Sequence, residues 1–182
     1  MVHDPTTMDI ARLVAEYHQT VYRYAYRLTG SVADAEDLTQ QVFMTAQAKL
    51  GQLRDQASAR SWLFAILRNR YLKTTRKRKP LPAASMRLSL DEIPAEIPSS
   101  EAIDREALQQ ALNQLPAPYR VVLGMFYYED CTYREIAEKL GLPIGTVMSR
   151  LARAKSHLRA ALLGRGVRGG ASRSPVRATL GG

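Results

Sequence analysis

The sequence predicts an all-α fold of two small helical domains joined by a flexible linker, and three observations carry that expectation. Apolar residues recur at three- and four-residue steps in both halves of the 182-residue chain, and no alternating strand pattern holds for long. Boundary residues punctuate those runs: Gly30 and Gly141 stop helices, while Ser31 and Thr132 start them. Between the halves lies "LPAASMRLSLDEIPAEIPSS", rich in Pro and Ser and without a sustained period. The expected organisation is a first domain over 8–79, an acidic linker over 80–100, a second domain over 101–163, and a Gly/Arg tail over 164–182 that is expected to be disordered.

The first domain opens on an amphipathic helix over 10–28. Ile10, Leu13, Val14, Tyr17, Val21, Tyr24, Ala25 and Leu28 lie on one stripe, and Gly30 ends it. Ser31 caps the next helix, with Asp34, Glu36 and Asp37 in the first turn, where negative charge suits the helix dipole. Ala35, Leu38, Val42 and Ala46 form its buried stripe. The opposite face shows Asp37, Gln40, Gln41, Met44 and Gln47, with Phe43 at its edge. A solvated face normally carries Lys and Glu; amides with a methionine fit protein contact better than a merely polar surface. The third helical run, "SARSWLFAILRNRYLKTTRKRK", has Trp62, Leu63, Ile66, Leu67 and Tyr71 or Leu72 as its apolar stripe. Trp62 belongs in the core, and the basic residues carry the function.

Charge separates along the chain. The formal net charge is +9, which favours a polyanionic partner or an anionic membrane surface. Arg60, Arg68, Arg70, Lys73, Arg76, Lys77, Arg78 and Lys79 occur with no acid among them, whereas the linker region is acidic. Cations interleaved with aromatics suit nucleic acid, the cations on phosphate and the rings on exposed bases. Cys131 is the single cysteine and has no disulfide partner, which fits a reducing cytosol. The N-terminus lacks the pattern of a signal peptide, and the longest apolar run, "VVLGMFYY", is far short of the roughly 20 residues that span a bilayer. A cytoplasmic location is expected.

The second domain ends in "TYREIAEKLGLPIGTVMSRLARAKSHLRAAL". Thr132 and Glu135 form a capping box, Gly141 ends one helix, and a second starts near Pro143 or Ile144. In that second helix Val147, Leu151, Ala154 and Leu158 stack on one side. Ser149, Ala152, Arg153 and Ser156 point the other way, with Thr146 and Arg150 to one side. No acid occurs from Gly141 to the end of the chain. Small residues that let a helix sink into a major groove, beside arginines that can bond guanine edges or phosphates, define a helix-turn-helix. Arg153 is expected on a base edge and Arg150 on phosphate.

These units resemble the extracytoplasmic-function (ECF) sigma factors of the sigma-70 family. The motifs are "GSVADAEDLTQQVF" (30–43), "SWLFAILRNRYLKTTRKRK" (61–79), "LPAPYRVVLGMFYYEDCTYREIAEKLGLP" (115–143) and "IGTVMSRLARAKSHLRAAL" (144–162). The resemblance implies a sigma-two-type helical bundle and a sigma-four-type helix-turn-helix. It implies that Asp37, Gln40, Gln41 and Phe43 dock on the β′ clamp helices of core RNA polymerase, with the β flap as a further partner surface. It implies that Arg68, Asn69, Lys73 and Arg76 engage the −10 element and the opening strand. Thr146, Ser149, Arg150, Arg153 and Lys155 would read the −35 element of promoter DNA. The linker would thread the polymerase, and an anti-sigma factor is an expected partner. Two positions depart from the family pattern: Met148 stands where a lysine is usual, and Lys73 where an acid is frequent.

The expected function is therefore promoter-specific transcription initiation, with no catalytic residue, cofactor, metal or small-molecule substrate. His3, His18 and His157 are scattered without partner spacing. The rival reading is a stand-alone helix-turn-helix regulator, which would need neither the "AEDLTQQVF" face nor a second basic segment. An enzyme with a DNA-binding appendage would need paired carboxylates, a phosphate loop or a Cys/His cluster, and the folded regions offer none.

Overall fold

Asp9 begins the first helix: its carboxylate accepts a hydrogen bond from the Arg12 amide at 2.7 Å, satisfying one of the N–H groups that a helix start leaves unpaired. From there α1 (Ile10–Thr29) runs to Gly30, which takes φ 74° and returns its N–H to the Tyr26 carbonyl at 2.8 Å. Ser31 then caps α2 (Val32–Ala48), its hydroxyl accepting from the Asp34 amide at 3.3 Å. Two 3₁₀ turns, Leu50–Gln52 and Gln56–Ser58, lead into α3 (Ala59–Lys77). The computed structural model describes residues 9–53, 55–77 and 105–166, so the linker expected over 80–100 and nearly all of the expected tail lie outside the described residues.

Helices α1, α2 and α3 pack on one another around Leu13, Val21, Ala25, Leu28, Ala35, Leu38, Val42, Leu63, Phe64 and Leu67, all buried. Trp62 is half-buried against this core. The second unit consists of α4 (Arg105–Gln114), α5 (Ala117–Tyr127), α6 (Tyr133–Leu140) and α7 (Ile144–Gly166). Helix α7 lies across α4, α5 and α6, and buries Val147, Leu151 and Ala154, with Leu158 partly buried beside them. The Thr132–Glu135 capping box is complete, with Glu135 Oε2 accepting from the Thr132 amide at 2.7 Å and Thr132 Oγ1 accepting from the Glu135 amide at 3.3 Å. Among the described residues there are seven α-helices and no strand, and no helix is long and apolar enough to cross a membrane.

The two units are in contact. Helix α1 meets α4 and α5, α3 meets α5, and one contiguous set of buried side chains runs through both units. At the seam two glycines allow close approach. A Cβ at Gly124 of α5 would overlap the Tyr24 ring, and one at Gly30 would overlap the Asn113 side chain of α4. Tyr24 stacks on Tyr128 with centroids 4.9 Å apart and meets Phe64 edge-on at 5.1 Å. Local periodicity describes each half by itself; the contacts of Tyr24 with Gly124 and Tyr128 and of Gly30 with Asn113 join distant parts of the chain, which no local pattern encodes.

Two expectations follow. Leu151→Ala should destabilise the chain by about 2–5 kcal/mol through the cavity it leaves, whereas Met148→Ala, at a position that is 51% exposed, should stay within about 0.5 kcal/mol; denaturant titration of both variants checks this. The hydrogen bonds from Thr132 hold the Glu135 carboxyl below its ordinary range. A lowered folded-state value means that the cap's contribution is present above the unfolded-state pKa and is lost as pH falls through the folded one. Glu135→Gln should therefore flatten the acid limb of a melting-temperature profile and leave the neutral region nearly unchanged in slope.

Candidate protein-binding and nucleic-acid surfaces

Helices α1 and α2 cross so that a groove of about 600 Å³ opens between them, with Ile10, Val14 and Phe43 as apolar wall and His18, Gln40 and Gln47 as polar rim. Met44 stands at its edge, 63% exposed. Phe43 is buried, its ring stacked on His18 with centroids 6.1 Å apart, so it shapes the groove rather than projecting from it. The four residues expected on one docking face thus divide. Gln40 and Phe43 line the groove. Asp37 and Gln41 lie toward α3, where Gln41 Nε2 donates to Asp37 Oδ2 at 2.7 Å and Arg70 donates to Thr45 Oγ1 at 2.6 Å and to Gln41 Oε1 at 3.4 Å. Sequence reasoning missed the α1 wall, and it named Arg70 only among the basic residues of α3, without its bonds to α2. A helix stripe shows which residues turn inward but not which neighbour stops short of covering them.

On α3 the expected nucleic-acid residues also divide. Asn69 and Lys73 are exposed, as is Arg70. Arg76 falls in the last turn, where its side chain lies outside the described residues. Arg68 turns inward, four residues after Phe64 and three before Tyr71, both buried. It forms a hydrogen-bonded ion pair with Glu129, which follows α5. The two side chains retain only 6% and 4% exposure. As positioned, Arg68 cannot reach a nucleic acid; the i, i+4, i+7 spacing with the apolar stripe is the signal that could have found this.

Around Glu129 the seam is polar. Tyr24 Oη donates to Glu129 Oε1 at 3.0 Å. Burial first, and then the neighbouring Glu129 carboxylate, push the Tyr24 phenol well above its ordinary range. Arg60 donates to the Tyr128 carbonyl at 2.8 Å and sits 3.5 Å from Asp130. Farther along, Arg27 donates to Gln109 Oε1 at 2.9 Å, and Gln109 Nε2 donates to the Tyr26 carbonyl at 3.2 Å and to Asn113 Oδ1 at 3.0 Å.

Gly141, at φ 63°, ends α6 and turns the chain into α7. At the start of α7, Ile144 and Met148 are about half exposed, while Thr146, Ser149 and Arg150 are partly exposed. Ser149 Oγ donates to the Thr146 carbonyl at 3.0 Å. Arg153 is half-buried, with its Nε out of solvent. Lys155 departs from the expected placement: its ammonium lies 4.5 Å from the Phe126 ring centre and 5.7 Å from that of Tyr127, both at the end of α5. Five residues separate Lys155 from Arg150, which turns it through roughly 140° at 100° per residue, so it joins α7 to α5 instead of sharing the Ser149 face.

Residues 13–80 match the family model "Sigma-70 region 2" and residues 105–158 match "Sigma-70, region 4". The chain is 36% identical over 152 residues to the ECF RNA polymerase sigma factor SigE of Mycolicibacterium smegmatis, covering 81% of this chain and 59% of that protein, which is less than two thirds of its length. It is 35% identical over 160 residues to the ECF RNA polymerase sigma factor SigL of Mycobacterium tuberculosis, covering 85% and 89%. Among solved structures it is similar to the sigma factor RpoE of Bartonella quintana, in complex there with the anti-sigma factor NepR, at TM-score 0.63 and 25% identity over 86% of this chain and 98% of that one. The chain belongs to the ECF sigma factors of the sigma-70 family.

The Lys155 contact is testable. Lys155→Ala should cost about 0.5–1 kcal/mol of stability through the lost cation–π contact, read by denaturant titration, and the loss should persist at high salt because the rings carry no net charge.

Proposed function

We propose that this chain recruits core RNA polymerase to a restricted set of promoters and helps to open their −10 region. The α1–α2 groove, with Gln40 and Phe43 in its wall and Asp37 and Gln41 beside it, takes the β′ clamp helices. The exposed side of α3, carrying Asn69 and Lys73 and followed in sequence by Arg76, meets the −10 element, and the first turns of α7, carrying Thr146, Ser149 and Arg150, meet the −35 element. Arg153 supports that face from a more buried position. The chain acts by binding and positioning, in the cytoplasm, without catalytic chemistry of its own. The likeness to a sigma factor that is complexed with NepR supports an anti-sigma factor as a further partner.

The observation that carries this reading is the presence, in one chain, of an apolar amide-rimmed groove and a helix-turn-helix whose second helix contains no acid. A stand-alone regulator would need only the second. Purified protein added to core polymerase should give promoter-specific run-off transcripts; their absence, with DNA binding intact, would favour the regulator. Asp37→Lys should weaken core-polymerase binding by about tenfold and Gln41→Glu by about threefold, as for substitutions within an interface, measured by titration against labelled polymerase. DNA binding by α7 should be unaffected, since the hydrogen bonds of both side chains among the described residues lie within α2 and to α3.

A further inference from the structure

We infer that Arg70 is a positioning residue for the polymerase-docking face: from α3 it fixes the side-chain amide of Gln41 and, through that amide, the Asp37 carboxylate that a partner meets. The inference rests on the function proposed above. Asp37, Gln41 and Thr45 follow one another at four-residue steps along one side of α2, a row of surface neighbours on a helix. Arg70 reaches across from α3 and donates to two of them, from Nη2 to Thr45 Oγ1 at 2.6 Å and from Nη1 to Gln41 Oε1 at 3.4 Å. Gln41 Nε2 in turn donates to Asp37 Oδ2 at 2.7 Å.

Donors and acceptors fit together here in only one way. A guanidinium can only donate, and an ionised carboxylate can only accept. An amide between them must turn its oxygen to Arg70 and its N–H groups to Asp37; the flipped amide would set donor against donor and acceptor against acceptor. Thr45 is fixed by the same logic. Its hydroxyl proton goes to the Gln41 backbone carbonyl at 2.7 Å, so its lone pairs are left to accept from Arg70. Hydrogen bonds thus run in sequence from the α3 cation to the α2 anion, and each polarises the next. The planar fork matters, because two end nitrogens serve two acceptors at once.

The network lies at the surface, so its use is order more than stability. Asp37 and Arg70 are exposed, and Gln41 and Thr45 are partly so; bonds in such places compete with water. A glutamine that rotates freely must be ordered when a partner docks, and ordering a rotamer-rich side chain weakens association by roughly two- to tenfold. Held by Arg70, Gln41 has given up that freedom before docking. Its bond to Asp37 uses one of about four acceptor positions on the carboxylate, so a donor from a partner can be added without displacing it. The basic residues of α3 then divide by direction: Arg68 turns inward to Glu129, Arg70 sideways to α2, and Asn69 and Lys73 outward.

The test uses the full chain and core RNA polymerase. In the free protein, nitrogen relaxation by NMR should show the Gln41 side-chain amide ordered, unlike that of the exposed Gln52, and Arg70→Met should release it. Titration against labelled polymerase should show Arg70→Met binding about threefold more weakly. Arg70→Lys, which keeps the charge but ends in a single nitrogen, should be weakened nearly as much. In a Gln41→Ala background the Arg70→Met step should have no further effect, because the group it positions is gone. The salt slope of promoter binding by the holoenzyme should stay the same, whereas loss of a phosphate contact lowers it by about one. A Gln41 amide as mobile as that of Gln52, an additive loss in the double variant, full affinity in Arg70→Lys, or a reduced salt slope would each overturn the role. If Arg70→Met fails to fold, the wild-type relaxation and Arg70→Lys decide. A wild-type chain that does not bind polymerase refutes the function proposed above and this role with it; one that initiates transcription with a mobile Gln41 amide refutes the positioning alone.

Discussion

Arg68 can be dry only because Glu129 is dry beside it, and much of the packing between the two units follows from that pair. A guanidinium and a carboxylate taken from water together need good geometry and further partners to offset their lost hydration. Tyr24 supplies one such partner to Glu129. Its buried ring lies edge-on to Phe64 and stacked on Tyr128. The phenol stays neutral there because burial and the adjacent carboxylate both oppose its ionisation. With the folded-state value raised, the stability that Tyr24 contributes is present below its unfolded-state pKa and is lost as pH rises toward the folded one.

That junction also explains two glycines with different duties. Gly30 is needed for its backbone, since it ends α1 at positive φ, and for its missing side chain, since Asn113 occupies that space. Gly124 sits inside a helix, where glycine is unfavourable relative to alanine by about 1 kcal/mol. Its use there makes physical sense only against the Tyr24 ring. Loss of helix propensity in α5 is exchanged for a closer approach between units.

The surfaces away from the seam have different characters. The α1–α2 groove combines apolar residues such as Ile10, Val14 and Phe43 with amides and the Glu36 carboxylate, a mixture that suits a protein partner. Helix α3 and the start of α7 present cations and small polar groups, suited to phosphate and base edges. Lys155, which by composition alone belongs with the second set, is spent on the rings of Phe126 and Tyr127 and ties α7 to α5.

The helices themselves were legible in the sequence because their causes are local. The α1 stripe, the Ser31 and Thr132 caps, the glycine stops at Gly30 and Gly141, and the inward set Val147, Leu151 and Ala154 depend on neighbours within a few residues, and the structure has each of them. The family was legible for a related reason, since motif order and spacing are properties of the chain. Which charged side chain faces water was decided only by the tertiary structure. Arg68, Asn69 and Arg70 are consecutive, yet the first is sealed against Glu129 and the other two are exposed. Sequence fixes the angle at which each leaves the helix; a packed helix from the far half of the chain decides which of those angles ends in protein.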